Sequence, residues 1–262
     1  MAVSDVLSAE WIKSRSVPDS WAFAAAAAAL GIGWATLPLL LNPARWSQEF
    51  AAAGAEARLG PLFWIGITRL TVLAVILHGA LLVTGERESG TAVVTRTVLP
   101  RPLGVYAAKA GVAAVWGLGV GLFTGTGALI GIRLIIGPVA APLTTEPSVL
   151  FGFGFRTAVI TALCALLGVG LAAVTRNLLL TAVIGSLWVW FENLIASFFG
   201  EFGQLGVLTP WRNLSYFLDR EGFGLPYLWD AHWGFAPLAL LALALLVTGA
   251  GRHRHDTNTV KE

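Results

Sequence analysis

The chain has 262 residues, 56% of them hydrophobic and only 12% charged, about half the charged share of an ordinary soluble domain. A chain so poor in charge cannot cover a water-facing surface, which excludes an ordinary soluble fold. Its 17 basic and 15 acidic residues leave a net charge of +2 and no basic block able to track a phosphate backbone, which excludes nucleic acid as a partner.

A bilayer core about 30 Å thick requires roughly 20 apolar residues per helix, because each residue rises about 1.5 Å and backbone groups must pair internally. Six runs meet that length: 21–41, 62–84, 106–136, 149–174, 178–200 and 233–250. The sequence therefore predicts an all-α membrane protein. It would have an N-terminal interfacial helix (1–20), six transmembrane helices (21–250) and a short tail (251–262). The 11 Trp and 14 Phe suit rings at the headgroup boundary, and the 30 Gly suit close helix packing in lipid.

Within 1–20, Val6, Leu7, Trp11 and Ile12 fall near one helical face, with Glu10, Lys13 and Arg15 beside them. That pattern predicts a helix lying in the membrane interface. The first apolar run follows, and it exceeds the roughly 7 to 15 residues of a secretory signal core. It reads as an uncleaved span. The loop 85–104 carries Glu86, Arg87, Glu88 and Gly90 before a short segment ended by Pro100 and Pro102. A short helix along the membrane fits there.

In the third run, Gly117, Gly121 and Gly125 repeat at four-residue spacing. They place hydrogens on one stripe so that another helix, in this chain or in a second copy, can come close. The only cysteine, Cys164 in the fourth run, allows no intrachain disulfide and reads as a small buried residue. Segment 201–232 mixes charges with Trp211, Tyr216, Phe217, Phe223, Tyr227 and Trp229. It predicts a partly embedded hairpin or an interface-hugging loop.

Arg69, Arg156 and Glu192 lie inside spans, each about 10 Å deep by helical rise. A charge at that depth is costly unless paired or in a wet cavity. The expectation is that Glu192 pairs with Arg69 or Arg156 in the outer half, holding the fold or lining a substrate path.

No lysine follows a glycine-rich loop, no Ser-His pair or paired aspartates occupy the spans, and no histidine has ligand-spaced partners. A catalytic chain or one with a metal is not expected. Lys and Arg near helix ends number ten on the side of the termini (Lys13, Arg15 and Arg87 among them) against six on the other (Arg45, Arg58 and Arg133 among them). That bias predicts cytoplasmic termini.

Two stretches carry a resemblance. S-A-E-W-I-K-S-R-S at 8–16 looks like the opening of actinobacterial permease subunits of ABC exporters, of the drug and polysaccharide export class with type V architecture. G-E-R-E-S-G-T at 85–91, then L-P-R-P at 99–102 and Lys109, resembles the loop of that class that docks on its motor. The resemblance implies a coupling helix in which Glu86, Glu88, Gly90, Thr91, Pro100 and Arg101 engage a nucleotide-binding ATPase subunit. It further implies re-entrant helices between the last two spans, a second permease chain (identical or related) and a bacterial plasma membrane. ATP and Mg would be bound by the partner ATPase, with no cofactor on this chain. The exported substrate would be an amphiphile such as a drug, lipid or peptide. The alternative is an ATP-independent secondary carrier using Arg69, Arg156 and Glu192 for ion coupling. That would require an internal repeat and polar groups near the midplane, and neither is apparent.

Overall fold

Prolines set most of the helix starts. In the computed structural model, which describes residues 3–53, 61–88, 90, 102–137, 147–200, 209–219 and 230–258, six helices begin on a proline. They are α2 (Pro18–Leu41), α3 (Pro43–Ala53), α4 (Pro61–Glu88), α5 (Pro102–Ile136), α6 (Pro147–Thr175) and α8 (Pro210–Asp219). Proline suits that position because the first N–H of a helix has no partner to lose and φ is already near the helical value. The remaining helices are α1 (Val3–Ser16), α7 (Leu178–Gly200) and α9 (Ala236–Asn258), the last preceded by a 3-10 turn at Ala231–Trp233. No strand occurs among the described residues.

Four helices are long and apolar enough to cross a membrane: α2, Arg69–Glu86 of α4, Pro102–Ile135 of α5 and Leu150–Thr175 of α6. The fifth and sixth expected runs are also helical, with shorter apolar stretches at Leu178–Glu192 and Ala236–Arg252. Several ends differ from expectation. Helix α4 continues past residue 84 to Glu88, α9 runs into the expected tail, and α3 was not anticipated. Asn42 starts α3: its side-chain oxygen accepts the Arg45 N–H at 3.3 Å, a cap that the Asn-Pro dipeptide advertises. Helices α6 and α7 reverse through two residues. Arg176 takes φ 58°, and the Asn177 side chain caps α7 by accepting the Leu180 N–H at 3.0 Å.

Helix α6 is the centre of the bundle, with 78% of its apolar window buried against 28% for α2. Glycine permits its close contacts. A Cβ at Gly117, Gly121 or Gly125 of α5 would meet the α6 backbone or the Thr157 and Thr161 side chains. Thr161 Oγ1 also donates to the Gly117 carbonyl at 2.7 Å. The glycine stripe thus packs within the chain. Gly79 of α4 and Gly168 of α6 bring those helices together in the same way, and Gly170 does so between α6 and α9.

Both termini of the described chain lie at one end of the bundle. There Val6 of α1 packs on Val105 and Ala108 of α5, and Arg252 of α9 donates to the Val174 carbonyl of α6 at 2.5 Å.

Candidate functional site

At the end carrying the termini, residues from the two stretches singled out in the sequence come together. Lys109 of α5 lies 3.0 Å from Glu10 Oε2 of α1 and 2.9 Å from Glu86 Oε1 of α4. Lys13 of α1 reaches the same Glu86 oxygen. The side chains of Lys109, Glu10 and Glu86 are 7%, 8% and 12% exposed, and that of Lys13 is 41% exposed. Two carboxylates and two ammoniums make a neutral cluster, which is how charges survive where water is scarce. It joins three helices whose participating residues are otherwise distant in the chain.

An aromatic group completes this joint. Trp116 Nε1 donates to Ser14 Oγ at 3.1 Å, and its ring lies 4.8 Å from that of Trp21, edge to face. Trp11 packs against the same indole at 6.1 Å, tilted, and His78 meets it edge-on at 5.6 Å. Trp21 Nε1 donates to the Arg15 carbonyl at 3.0 Å, fixing the corner between α1 and α2. The buried face of α1 is therefore Val6, Glu10 and Ser14, while Leu7 and Ile12 are exposed. The outward apolar side chains fit an interfacial helix, but Glu10 points inward because its partner Lys109 waits on α5.

At the opposite end lie Arg69, Arg156 and Glu192, the three charges expected inside spans, and two of them are held by backbone groups of one helix. Glu192 Oε1 of α7 accepts the Trp211 N–H at 2.5 Å, next to the proline that opens α8. Arg156 of α6 donates to the Leu218 carbonyl at 2.6 Å and to that of Phe217 at 3.5 Å, at the far end of the same helix. An acid at the N-terminus and a base at the C-terminus both complement the helix dipole and satisfy orphan backbone groups. The Arg69 guanidinium lies over the rings of Trp190 and Trp211 at 5.4 and 5.8 Å. No ion pair among the described residues joins Glu192 to Arg69 or Arg156. Backbone groups of α8 hold Glu192 and Arg156, while the charges of Arg69 and Glu192 lie close enough to act on one another.

Helix α8 is embedded. Trp211, Leu214, Phe217 and Leu218 join the main core with Val72, Ile160 and Leu238, and Asn213 is fully buried, its amide donating to the Thr209 carbonyl at 2.8 Å. Gly234 allows the contact, since a Cβ there would meet the Asn213 carbonyl. A spacing of three and four residues after Pro210 was the signal for this helix in the sequence.

Of the other coupling-loop residues, Gly90 is exposed with φ 71°. Thr91, Pro100 and Arg101 lie outside the described residues, as does the Glu88 side chain. Cys164 is buried and unbridged. No group of residues able to hold a metal ion occurs among the described residues. Comparison with protein families, curated proteins and solved structures finds no match for this chain.

Proposed function

We propose that the chain is the membrane-spanning permease subunit of an ABC exporter, moving an amphiphile with energy from ATP hydrolysed on a separate subunit. On this reading α2, α4, α5, α6, α7 and α9 are six spans in a bacterial plasma membrane and both termini are cytoplasmic. Two such chains, identical or related, flank the pathway. The observation that carries the reading is the cluster of Glu10, Lys13, Glu86 and Lys109. The stretches that resemble the exporter class are far apart in sequence, and their charged residues interlock here.

The physical logic does not depend on the family. A motor pushing on loop 85–104 acts at the end of α4 and the start of α5, and the buried ion pairs carry α1 along with them. Breaking the Glu10–Lys109 pair strands a buried carboxylate, so α1 moves with α5, and Lys109 ties both to α4 through Glu86.

Purification of the chain with its natural neighbours tests the proposal. A nucleotide-binding subunit in stoichiometric association, with ATPase activity altered by the permease, is the expected result. Transport by the isolated chain in vesicles without ATP would overturn it in favour of a secondary carrier.

A further inference from the structure

At the end of the bundle away from the termini, two buried atoms have complementary needs. Glu192 is 7% exposed, and while its Oε1 takes the Trp211 N–H, its Oε2 has no hydrogen-bond partner among the described residues. Arg69 Nε, a donor, is buried and has none either. Folded proteins rarely leave such groups unused, because the hydration lost on burial is then not replaced.

The two groups do not satisfy each other. Arg69 and Glu192 carry opposite charges close enough to interact, yet no ion pair among the described residues joins them. Trp211 holds each in its place: its backbone N–H lies 2.5 Å from the carboxylate, and its ring lies 5.8 Å from the guanidinium, which also sits 5.4 Å from the Trp190 ring. The side-chain N–H of Trp188 acts on the same carboxylate. Two donors, Arg69 Nε and the Trp188 indole, therefore gather around one acceptor, Glu192 Oε2.

That set selects its occupant. A cation would meet two N–H groups and the guanidinium charge, and an anion would meet the carboxylate. A neutral molecule that accepts and donates at one atom suits all three groups, and water is the smallest such molecule. It would accept from both N–H groups and donate to Oε2, making the roughly three hydrogen bonds usual for a buried water. The surrounding core, with Val72, Ile160 and Leu238, supplies no other polar contact of this kind.

We propose that ordered water lies among Arg69, Trp188, Glu192 and Trp211 and links the guanidinium to the carboxylate. The ion pair expected from the sequence is in this way made through solvent. The site belongs to this chain alone and does not rest on the exporter reading.

X-ray radiolysis of the full chain in lipid nanodiscs tests this, because hydroxyl radicals formed from a bound water oxidise the side chains beside it. Trp211 and Phe153 share one core and are 3% and 4% exposed. Mass spectrometry should find Trp211 oxidised and Phe153 not, with the amides of α8 protected from hydrogen exchange in the same sample. An unoxidised Trp211, equal oxidation of both rings, or oxidation accompanied by rapid exchange along α8 would overturn the proposal, the last by tracing the radicals to opening of the helix. Replacing both charges, Arg69→Leu with Glu192→Leu, leaves an apolar site, and such sites stay dry. Trp211 labelling should then be lost, and its persistence would overturn the bridge. Comparing Trp211 with Phe153 needs no variant, so it decides the matter even where the doubly substituted chain fails to fold.

Discussion

Glu192 and Arg156 hold opposite ends of one short helix. The carboxylate takes the Trp211 N–H at 2.5 Å and the guanidinium takes the Leu218 carbonyl at 2.6 Å. The two side chains come from different helices, α7 and α6, so α8 is clamped between them as a brace within the apolar core. Their function is best understood through that helix and not through each other.

Removing either end of the brace should lower stability. Glu192→Leu leaves a buried N–H unpaired and should cost about 2 kcal/mol, whereas Glu192→Gln keeps an acceptor but loses the charge and should cost about 1 kcal/mol. Because both charges act on the same helix, Arg156→Leu combined with Glu192→Leu should cost less than the sum of the two. Thermal unfolding in nanodiscs, followed by circular dichroism, measures this, and strict additivity would show that α8 is not a shared element.

Lys109 is the hub of the opposite end. Lys109→Met strands Glu10, leaves Glu86 with Lys13 alone and should destabilise the protein by about 3 to 5 kcal/mol. The triple replacement Lys109→Met, Glu10→Gln and Glu86→Gln should recover most of that loss. Lys13→Ala, at a half-exposed member, should cost under about 1 kcal/mol. Denaturation midpoints of the four proteins decide the point, and a Lys13 effect equal to that of Lys109 would contradict the assigned burial.

Close packing of α5 on α6 should be intolerant of added volume. A methyl group at Gly121 meets Thr161 Oγ1 and the backbone at Thr157 and Ala158, so Gly121→Ala should cost about 1 to 3 kcal/mol. Thr161→Val loses the bond to the Gly117 carbonyl and should cost only about 0.6 kcal/mol. A larger loss for Thr161→Val than for Gly121→Ala would mean that hydrogen bonding, not proximity, dominates this contact.

The two acids at the end of α4 should separate by phenotype. Glu86→Lys sets a third cation beside Lys13 and Lys109 and should lower Tm sharply. Glu88→Lys should leave Tm unchanged and reduce retention of the ATPase subunit in pull-downs. Unchanged retention with Glu88→Lys would count against docking through this loop.

Much of the bundle was legible in the chain. Apolar runs located the helices, since only internally bonded segments of that length survive in lipid, and the prolines at 18, 43, 61, 102, 147 and 210 set their starts more closely than hydropathy did. The glycine stripe at 117, 121 and 125 announced a close approach but not its partner, because a small-residue face suits any helix that can reach it. The structure assigned it to α6.

By itself the sequence determined a helical chain, several of whose helices are long and apolar enough to cross a membrane, with few charges to spare inside them. It also marked Arg69, Arg156 and Glu192 as charges needing partners. Only the tertiary structure decided who those partners are. Glu10 and Lys109 are 99 positions apart, and whether they meet depends on the rotation and crossing of α1 against α5, which no local periodicity encodes. The same holds for Glu192 and Arg156. A charge can be recognised as misplaced from its neighbours in sequence, but the group that satisfies it, here the backbone of α8, is known only once the helices are packed.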